Sequence, residues 1–121
     1  MKIAVTAQEP GLDSPVDPRF GRATYFVLFD AATGEHSVHD NEQNLNAPQG
    51  AGIQAAQKIA ELQANVLLTG HVGPKAFHTL QAADVVIYSG VNGTVREALE
   101  RWSTNQLAPP AAKADVEGHW V

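Results

Sequence analysis

The stretch GAGIQAAQKIAELQANVLLTGHVGPKAFHTLQAADVVIYSG (residues 50–90) alternates twice between a helical pattern and a strand pattern. Residues 50–63 and 73–83 carry apolar side chains at helical spacing, which predicts two amphipathic helices. Residues 65–70 and 84–90 are short apolar runs of the kind that buried parallel strands show. The alternation therefore predicts parallel strands that are joined by crossover helices.

The segments on either side of this stretch supply three more strands and one more helix. Apolar and β-branched residues predict strands at 2–7 and 23–30, and EHSVHD (35–40) predicts a polar edge strand. The turn at 31–34 makes the last two an antiparallel pair. Residues 94–102 again show helical spacing. The order βββαβαβα predicts an α/β fold, namely a ribonuclease-H-like mixed five-stranded sheet of order 3-2-1-4-5 with helices on both faces.

Composition and charge exclude several classes of protein. The 121-residue chain has a net charge of −5 and no cysteine, so disulfides, cysteine-based zinc sites and thiolate-held iron–sulfur clusters are excluded. The acidic balance argues against nucleic-acid binding. No apolar run approaches the ~18 residues of a membrane span, and the opening MKIAVTAQEPG is typical of a first strand rather than a secretory signal. We therefore expect a cytoplasmic protein with no nucleic-acid and no membrane partner.

The length of the chain predicts a single domain. We expect this domain to cover residues 1–102. Residues 103–121 contain a pair of prolines and several alanines, and we expect them to form a C-terminal tail.

The predicted topology gathers four loops at one end of the sheet, where the parallel strands finish. These loops cover residues 8–22, 41–50, 70–73 and 89–93. Ligands of open α/β sheets bind at this end, next to the point where the strand order reverses. Guanidinium groups, glycine-rich helix starts and a lysine in these loops would attract an anion. The candidate residues from this reasoning are Arg19, Arg22, Gly50, Gly52, His71 and Lys75.

Three blocks of the sequence resemble the nitrogenase iron–molybdenum cofactor biosynthesis family, which includes NifX and the carboxyl-terminal domain of NifB. The blocks are SPVDPRFGRATYFVLFD (14–30), GAGIQAAQKIAELQANVLLTGHVGPKAF (50–77) and GTVREALERW (93–102). The resemblance is nearest to the orange-protein type, whose molybdenum–copper–sulfide cluster is held without thiolate bonds. It implies a ribonuclease-H-like fold and a nitrogenase-accessory-like role in binding or carrying an anionic metal–sulfur cluster or its precursor. It also implies ATPases or cofactor-assembly proteins as partners.

The resemblance further implies which residues contact the cluster. They are Arg19, Phe20, Gly21 and Arg22 in the first loop, Gly50, Ala51 and Gly52 at the helix start, and Gly70, His71 and Gly73 in the second loop.

Structural roles are the alternative for these residues. The arginines could pair with Glu9, Asp13 or Asp17, which would pin the long loop. Phe20 could fill the core, and the glycines could allow close packing of helix and sheet.

The sequence predicts no catalytic site. Nucleases of the ribonuclease H type need clustered carboxylates that hold two metal ions, and the predicted strands 2–7 and 65–70 carry no acid. The chain has neither a G-x-S-x-G nucleophile elbow nor a lysine-containing phosphate loop. We therefore expect a non-catalytic carrier. The alternatives are a regulatory or interaction module that works with ATPase partners, and a protein that binds small phosphates or nucleotides.

Overall fold

The structure is a computed structural model that describes residues 1–41 and 50–112 of the chain. The predicted order βββαβαβα is confirmed, and a short 3₁₀ turn lies in the long loop between the first two strands. The strands are β1 (Lys2–Ala7), β2 (Tyr25–Asp30), β3 (His36–Asp40), β4 (Val66–Leu68) and β5 (Val86–Tyr88). The helices are α1 (Ala51–Glu61), α2 (Pro74–Ala82) and α3 (Val95–Ser103), and the 3₁₀ turn is Phe20–Arg22.

The strands form one sheet in the order β3-β2-β1-β4-β5, which confirms the predicted α/β arrangement. β1 pairs antiparallel with β2, from Lys2 opposite Asp30 to Ala7 opposite Tyr25, and parallel with β4. β2 is antiparallel to β3, and β4 is parallel to β5. β1, β4 and β5 therefore finish at the same end, which we call the upper end of the sheet. The strand order reverses there between β1 and β4.

Alternating side chains of the central strands fill two apolar layers, one on each face of the sheet. Ala4 and Leu67 belong to the layer beneath α1 and α2, whereas Ile3, Val5 and Leu68 belong to the layer beneath α3. Burial of each large aliphatic side chain contributes about 1.5–3 kcal/mol. Helices thus cover both faces, as predicted. α1 and α2 pack side by side, so their N-termini are neighbours at the upper end.

Each helix is followed by a residue that has left-handed backbone and is not glycine. These residues are Gln63 (φ 60°), Asp84 (φ 59°) and Asn105 (φ 57°). The next amide reaches back to a carbonyl of the last turn, as in the Ala64 N–H that donates to Ile59 O at 3.3 Å. The bond satisfies a carbonyl that the helix leaves unpaired, but the backbone conformation costs about 1–2 kcal/mol for an L residue.

Residues 104–112 turn back from α3 and wrap around the edge strand β5, and we call this segment the strap. Leu107 packs with the layer beneath α3, and Ala111 packs with the opposite layer. The Ala111 N–H donates to Ile87 O at 2.7 Å. The strap therefore pairs with the outer edge of β5.

The expected tail at 103–121 begins with Ser103, the last residue of α3, and continues as the strap. Residues 113–121 lie outside the described residues. In the part of the chain that the structure describes, no helix combines the length and the apolar character needed to cross a bilayer.

Candidate functional site

The long loop between β1 and β2 lies between the connections that follow β4 and β5. On one side, the Val16 N–H donates to Gly93 O at 2.8 Å. On the other side, the His71 N–H donates to Pro18 O at 2.8 Å, and the Phe20 N–H donates to His71 O at 3.1 Å. Backbone bonds therefore fix the arginine-bearing turn against the connection between β4 and α2.

Gly70 allows this close approach between the two loops. A Cβ at position 70 would lie 2.6 Å from Pro18 Cα and 2.8 Å from the Pro18 carbonyl carbon, and it would also meet the carbonyl oxygen. Gly70 O in turn accepts from the Gly90 N–H at 2.7 Å, which ties in the third connection. The small size of Gly70 thus has a packing role at the predicted site.

The 3₁₀ turn has a buried anchor and two arginines nearer the surface. The Phe20 ring is 1% exposed and stacks on Phe26 with ring centroids 5.9 Å apart. Gly21 is also buried, and the turn packs against α1. Arg19 is exposed and Arg22 is half-buried. Phe20 therefore fills the core, as its structural alternative expected, and holds the turn on the α1 side of the sheet.

Helices α1 and α2 begin at the upper end without a side-chain cap in the described part of the chain. Gly50 precedes α1 with left-handed backbone (φ 76°), and Gly73 precedes α2 with extended backbone. The first ladder bonds are Gln54 N–H to Gly50 O and Phe77 N–H to Gly73 O, both 2.9 Å. The amides before them have no acceptor within their helices and carry the partial positive charge of a helix N-terminus. Such amides bind anions.

Helix α3, on the opposite face, begins differently because the protein itself satisfies its first amides. Thr94 and Glu97 form a capping box, with the Glu97 N–H donating to Thr94 Oγ1 at 3.1 Å and the Thr94 N–H donating to Glu97 Oε1 at 2.9 Å. Carbonyls of the β1–β2 loop accept the two remaining bonds, Val95 N–H to Ser14 O and Arg96 N–H to Leu12 O, both 2.9 Å. The two helix starts for which the described residues supply no side-chain cap thus lie on one face of the sheet, together with the arginine turn.

Three predicted segments meet on this face, namely the arginine turn, the start of α1 and the connection that contains His71. The turn packs on α1, bonds to His71 and adjoins the start of α2. The predicted connection at 41–50 falls outside the described residues from position 42 to 49. Of the other predicted residues, Ala51, Gly52, Gly70 and Gly73 are buried, Gly50 is half-buried, and His71 and Lys75 are exposed.

A buried polar cluster lies beneath the turn, and the sequence did not predict it. It consists of Thr6, Thr69 and Asp17. The Thr6 hydroxyl donates to Asp17 O at 2.9 Å, and the two threonine hydroxyl oxygens are 2.9 Å apart. The signal was a threonine near the end of each apolar run, KIAVTA and NVLLTG, because the two runs form neighbouring parallel strands.

Asp17 joins the cluster through its backbone and the turn through its carboxylate. Its Oδ1 accepts the Arg19 N–H at 3.0 Å, and the residue is 9% exposed. Burial raises the pKa of Asp17 above its ordinary value, and the backbone N–H and the guanidinium of Arg19 partly oppose this shift.

One structural alternative pairs an arginine of the turn with Asp13, but the structure pairs Asp13 with Arg96. Asp13 Oδ1 lies 3.2 Å from Arg96 Nε, on α3. Within residues 1–41 and 50–112, no carboxylate is within ion-pair distance of the Arg19 guanidinium. The Arg19 side chain is exposed at the upper end, and its charge acts on the Asp17 carboxylate without a close ion pair.

The donors of this region suit an anion. They are backbone amides and guanidinium groups, which donate hydrogen bonds and do not coordinate a bare cation. Across residues 1–41 and 50–112, no group of three or more histidine or acidic residues is placed to hold a metal ion.

Three known proteins are similar to this chain in sequence or in structure. The apo form of the orange protein from Desulfovibrio gigas is 50% identical, with a TM-score of 0.92 over 95% of this chain and 96% of that one. A NifB-like protein from Thermotoga is 32% identical, with a TM-score of 0.79 over 89% of this chain and 91% of that one. An uncharacterized protein of Methanocaldococcus jannaschii is 25% identical over 109 residues, which cover 88% of this chain and 89% of that one.

The family model described as dinitrogenase iron–molybdenum cofactor matches residues 1–105. This match confirms the resemblance carried by the three sequence blocks, and together with the orange-protein likeness it supports a cofactor-related role. The chain belongs to the dinitrogenase iron–molybdenum cofactor family.

Proposed function

We propose that this protein binds and carries an anionic metal–sulfur cluster, of the molybdenum–copper–sulfide kind or a related iron–molybdenum precursor, without covalent bonds and without turnover. One observation supports the proposal above the others. Among the residues that the structure describes, no side chain caps the two helices that begin side by side next to the turn with two arginines, whereas the protein itself closes the third helix start. The cargo would lie on the α1–α2 side of the upper end.

The residues present fit such a cargo. Thiomolybdate-type species are large, weakly hydrated anions, and the amides that begin α1 and α2 can donate to their sulfur atoms. Arg19, Arg22 and Lys75 add positive charge, and His71 adds a ring nitrogen that can donate. The chain has no cysteine, so thiolates cannot hold the cluster. The donor set therefore favours non-covalent binding of an intact anion.

The expected strength follows from the number of donors. A hydrogen bond to a charged group contributes about 1.5–3 kcal/mol. Micromolar affinity corresponds to about −8 kcal/mol, so several such bonds suffice after the costs of binding are met. A net charge of −5 opposes any anion at long range, and the local donors must outweigh it.

A carrier needs a protein that supplies or receives its cargo. We infer that cofactor-assembly proteins or ATPases have this role, and that the exchange takes place in the cytoplasm. A protein of net charge −5 is unsuited to nucleic acid as a partner.

The test is an anaerobic titration of the purified apo-protein with tetrathiomolybdate and copper(I), followed by optical absorption. We expect charge-transfer bands that saturate at a fixed stoichiometry. The double variant Arg19→Ala/Arg22→Ala should bind at least about tenfold more weakly, since each charge-assisted bond contributes about 1.5–3 kcal/mol. Arg96→Ala is the matched control, because Arg96 is exposed and pairs with Asp13 on the opposite face.

A titration without new bands, or a double variant that binds like the wild type, would contradict the proposal. Competition with millimolar inorganic phosphate tests the alternative that the protein binds small phosphates or nucleotides. Phosphate that displaces tetrathiomolybdate completely would favour a phosphate-binding function instead.

A further inference from the structure

Asp17 places a carboxylate directly behind the turn that carries the anion-attracting arginines. Its Oδ1 accepts the Arg19 N–H at 3.0 Å, two residues further along the chain. This bond stabilises the backbone at Arg19 (φ −120°, ψ 113°), where the chain enters the 3₁₀ turn. The carboxylate therefore helps to determine where the turn and its guanidinium groups lie.

The position of Asp17 is itself fixed by β1. The Asp17 N–H donates to Thr6 O at 2.9 Å, and the Thr6 hydroxyl donates back to Asp17 O at 2.9 Å. Thr69 on the neighbouring strand adjoins the same hydroxyl. The sheet thus holds Asp17, and Asp17 holds the turn.

The charge of this carboxylate opposes the attraction that the turn exerts on an anion. Asp17 is 9% exposed, so water and salt screen its charge much less than they screen a surface acid. Burial also raises its pKa, which means that the folded protein keeps the ionised form at some cost. An asparagine would supply the same acceptor without the charge.

We propose that Asp17 is a positioning residue of the anion site, holding the Arg19 turn through its carboxylate oxygen while its charge limits affinity so that the bound anion is released. This inference rests on the proposed function. The charge of Asp17 would lower the affinity for the anion. Because affinity differences between related complexes arise mainly from the dissociation rate, a lower affinity means that a carrier releases its anion faster.

Two neutral variants of similar size separate the two effects. Asp17→Asn keeps the acceptor and removes the charge, whereas Asp17→Leu removes both. The probe is tetrathiomolybdate alone at pH 8, several units above the ordinary pKa of a carboxyl group, and the readouts are affinity and dissociation rate. We expect Asp17→Asn to bind about 3- to 10-fold more tightly than the wild type, with slower dissociation, since a nearby like charge is removed. We expect Asp17→Leu to bind about tenfold more weakly than Asp17→Asn, since the partly buried Arg19 N–H loses the acceptor that holds the turn.

Asp13→Asn is the matched control for charge, because Asp13 lies in the same loop with an 89% exposed side chain and pairs with Arg96. It should change affinity less than about twofold, as exposed charges are screened. Hydrogen exchange at the Arg19 amide checks the geometry, and protection should persist in Asp17→Asn and be lost in Asp17→Leu.

Each outcome is decisive. Equal binding by Asp17→Asn and Asp17→Leu, or by Asp17→Asn and the wild type, overturns this inference while the proposed function stands. A gain by Asp13→Asn as large as that of Asp17→Asn also overturns it, since the effect would then be one of net charge. If the wild type binds no tetrathiomolybdate, the proposed function fails and this inference fails with it.

Discussion

Replacement of Gly70 by alanine tests whether the arginine turn depends on a close backbone contact. The added Cβ would lie 2.6 and 2.8 Å from two backbone carbons of Pro18, distances that no flexible side chain can relieve. The loops must therefore separate. Separation weakens two bonds, His71 N–H to Pro18 O (2.8 Å) and Phe20 N–H to His71 O (3.1 Å).

The cost follows from these contacts. Overpacking of this kind costs about 1–3 kcal/mol, and each weakened backbone bond adds about 1 kcal/mol. We expect Gly70→Ala to lower the free energy of unfolding by about 3–5 kcal/mol, a large part of the 5–15 kcal/mol of a typical domain. For a chain of this length, the melting temperature should fall by about 10–20 °C.

The measurement is thermal and urea denaturation of Gly70→Ala beside the control Gly34→Ala. Gly34 has positive φ (+77°) and open space around its Cα, so this control should cost only about 1 kcal/mol. Hydrogen exchange at the Phe20 and His71 amides should increase in Gly70→Ala alone. The reasoning is refuted if Gly70→Ala costs no more than Gly34→Ala, or if those two amides keep their protection.

Three further predictions concern stability. Gln63→Gly should raise the free energy of unfolding by about 0.5–1 kcal/mol, because glycine adopts the left-handed backbone without a Cβ penalty, and Gln63→Ala should give no gain in the same urea titration. The pKa of Asp17 is raised in the folded state. The wild type should therefore lose stability relative to Asp17→Asn as the pH rises from below 3.8 through the pKa of the folded protein. A stability difference between the two proteins that is constant with pH would contradict this prediction. The pKa of Glu97 is lowered, chiefly by the hydrogen bond from the Thr94 N–H. The contribution of Glu97 to the free energy of unfolding should therefore be lost as the pH falls below 4.5 through the pKa of the folded protein, and Glu97→Gln should show no such loss at acid pH.

The sheet order was predictable because the determining signals are local. Two helix-and-strand alternations impose parallel strands, and the turn at 31–34 imposes an antiparallel pair. The capping box at Thr94 and Glu97 was equally readable, since it depends on a spacing of three residues.

The arrangement of the candidate site was predictable only in outline. The topology brings the loops to one end, but the approach of Gly70 to Pro18 depends on the paths of two loops that are distant in sequence. The cluster of Thr6, Thr69 and Asp17 also depends on residues that are distant in sequence, because the threonines that end the two apolar runs meet only when those runs pair as neighbouring strands. Phe20 illustrates a further limit. An aromatic residue between arginines suits a ligand or a core equally well, and only packing assigns its ring to the core.

The strap has a consequence for how molecules of this protein meet one another. A sheet margin with unpaired carbonyl groups can recruit a strand from another chain, and Val86 at this margin is 43% exposed. The amide of Ala111 occupies the Ile87 carbonyl and so blocks that template. The family match ends at residue 105, before this contact is made. The contact that covers this edge therefore lies beyond the boundary of the family match, and a protein shortened to residue 105 would expose the Ile87 carbonyl to a strand of another chain.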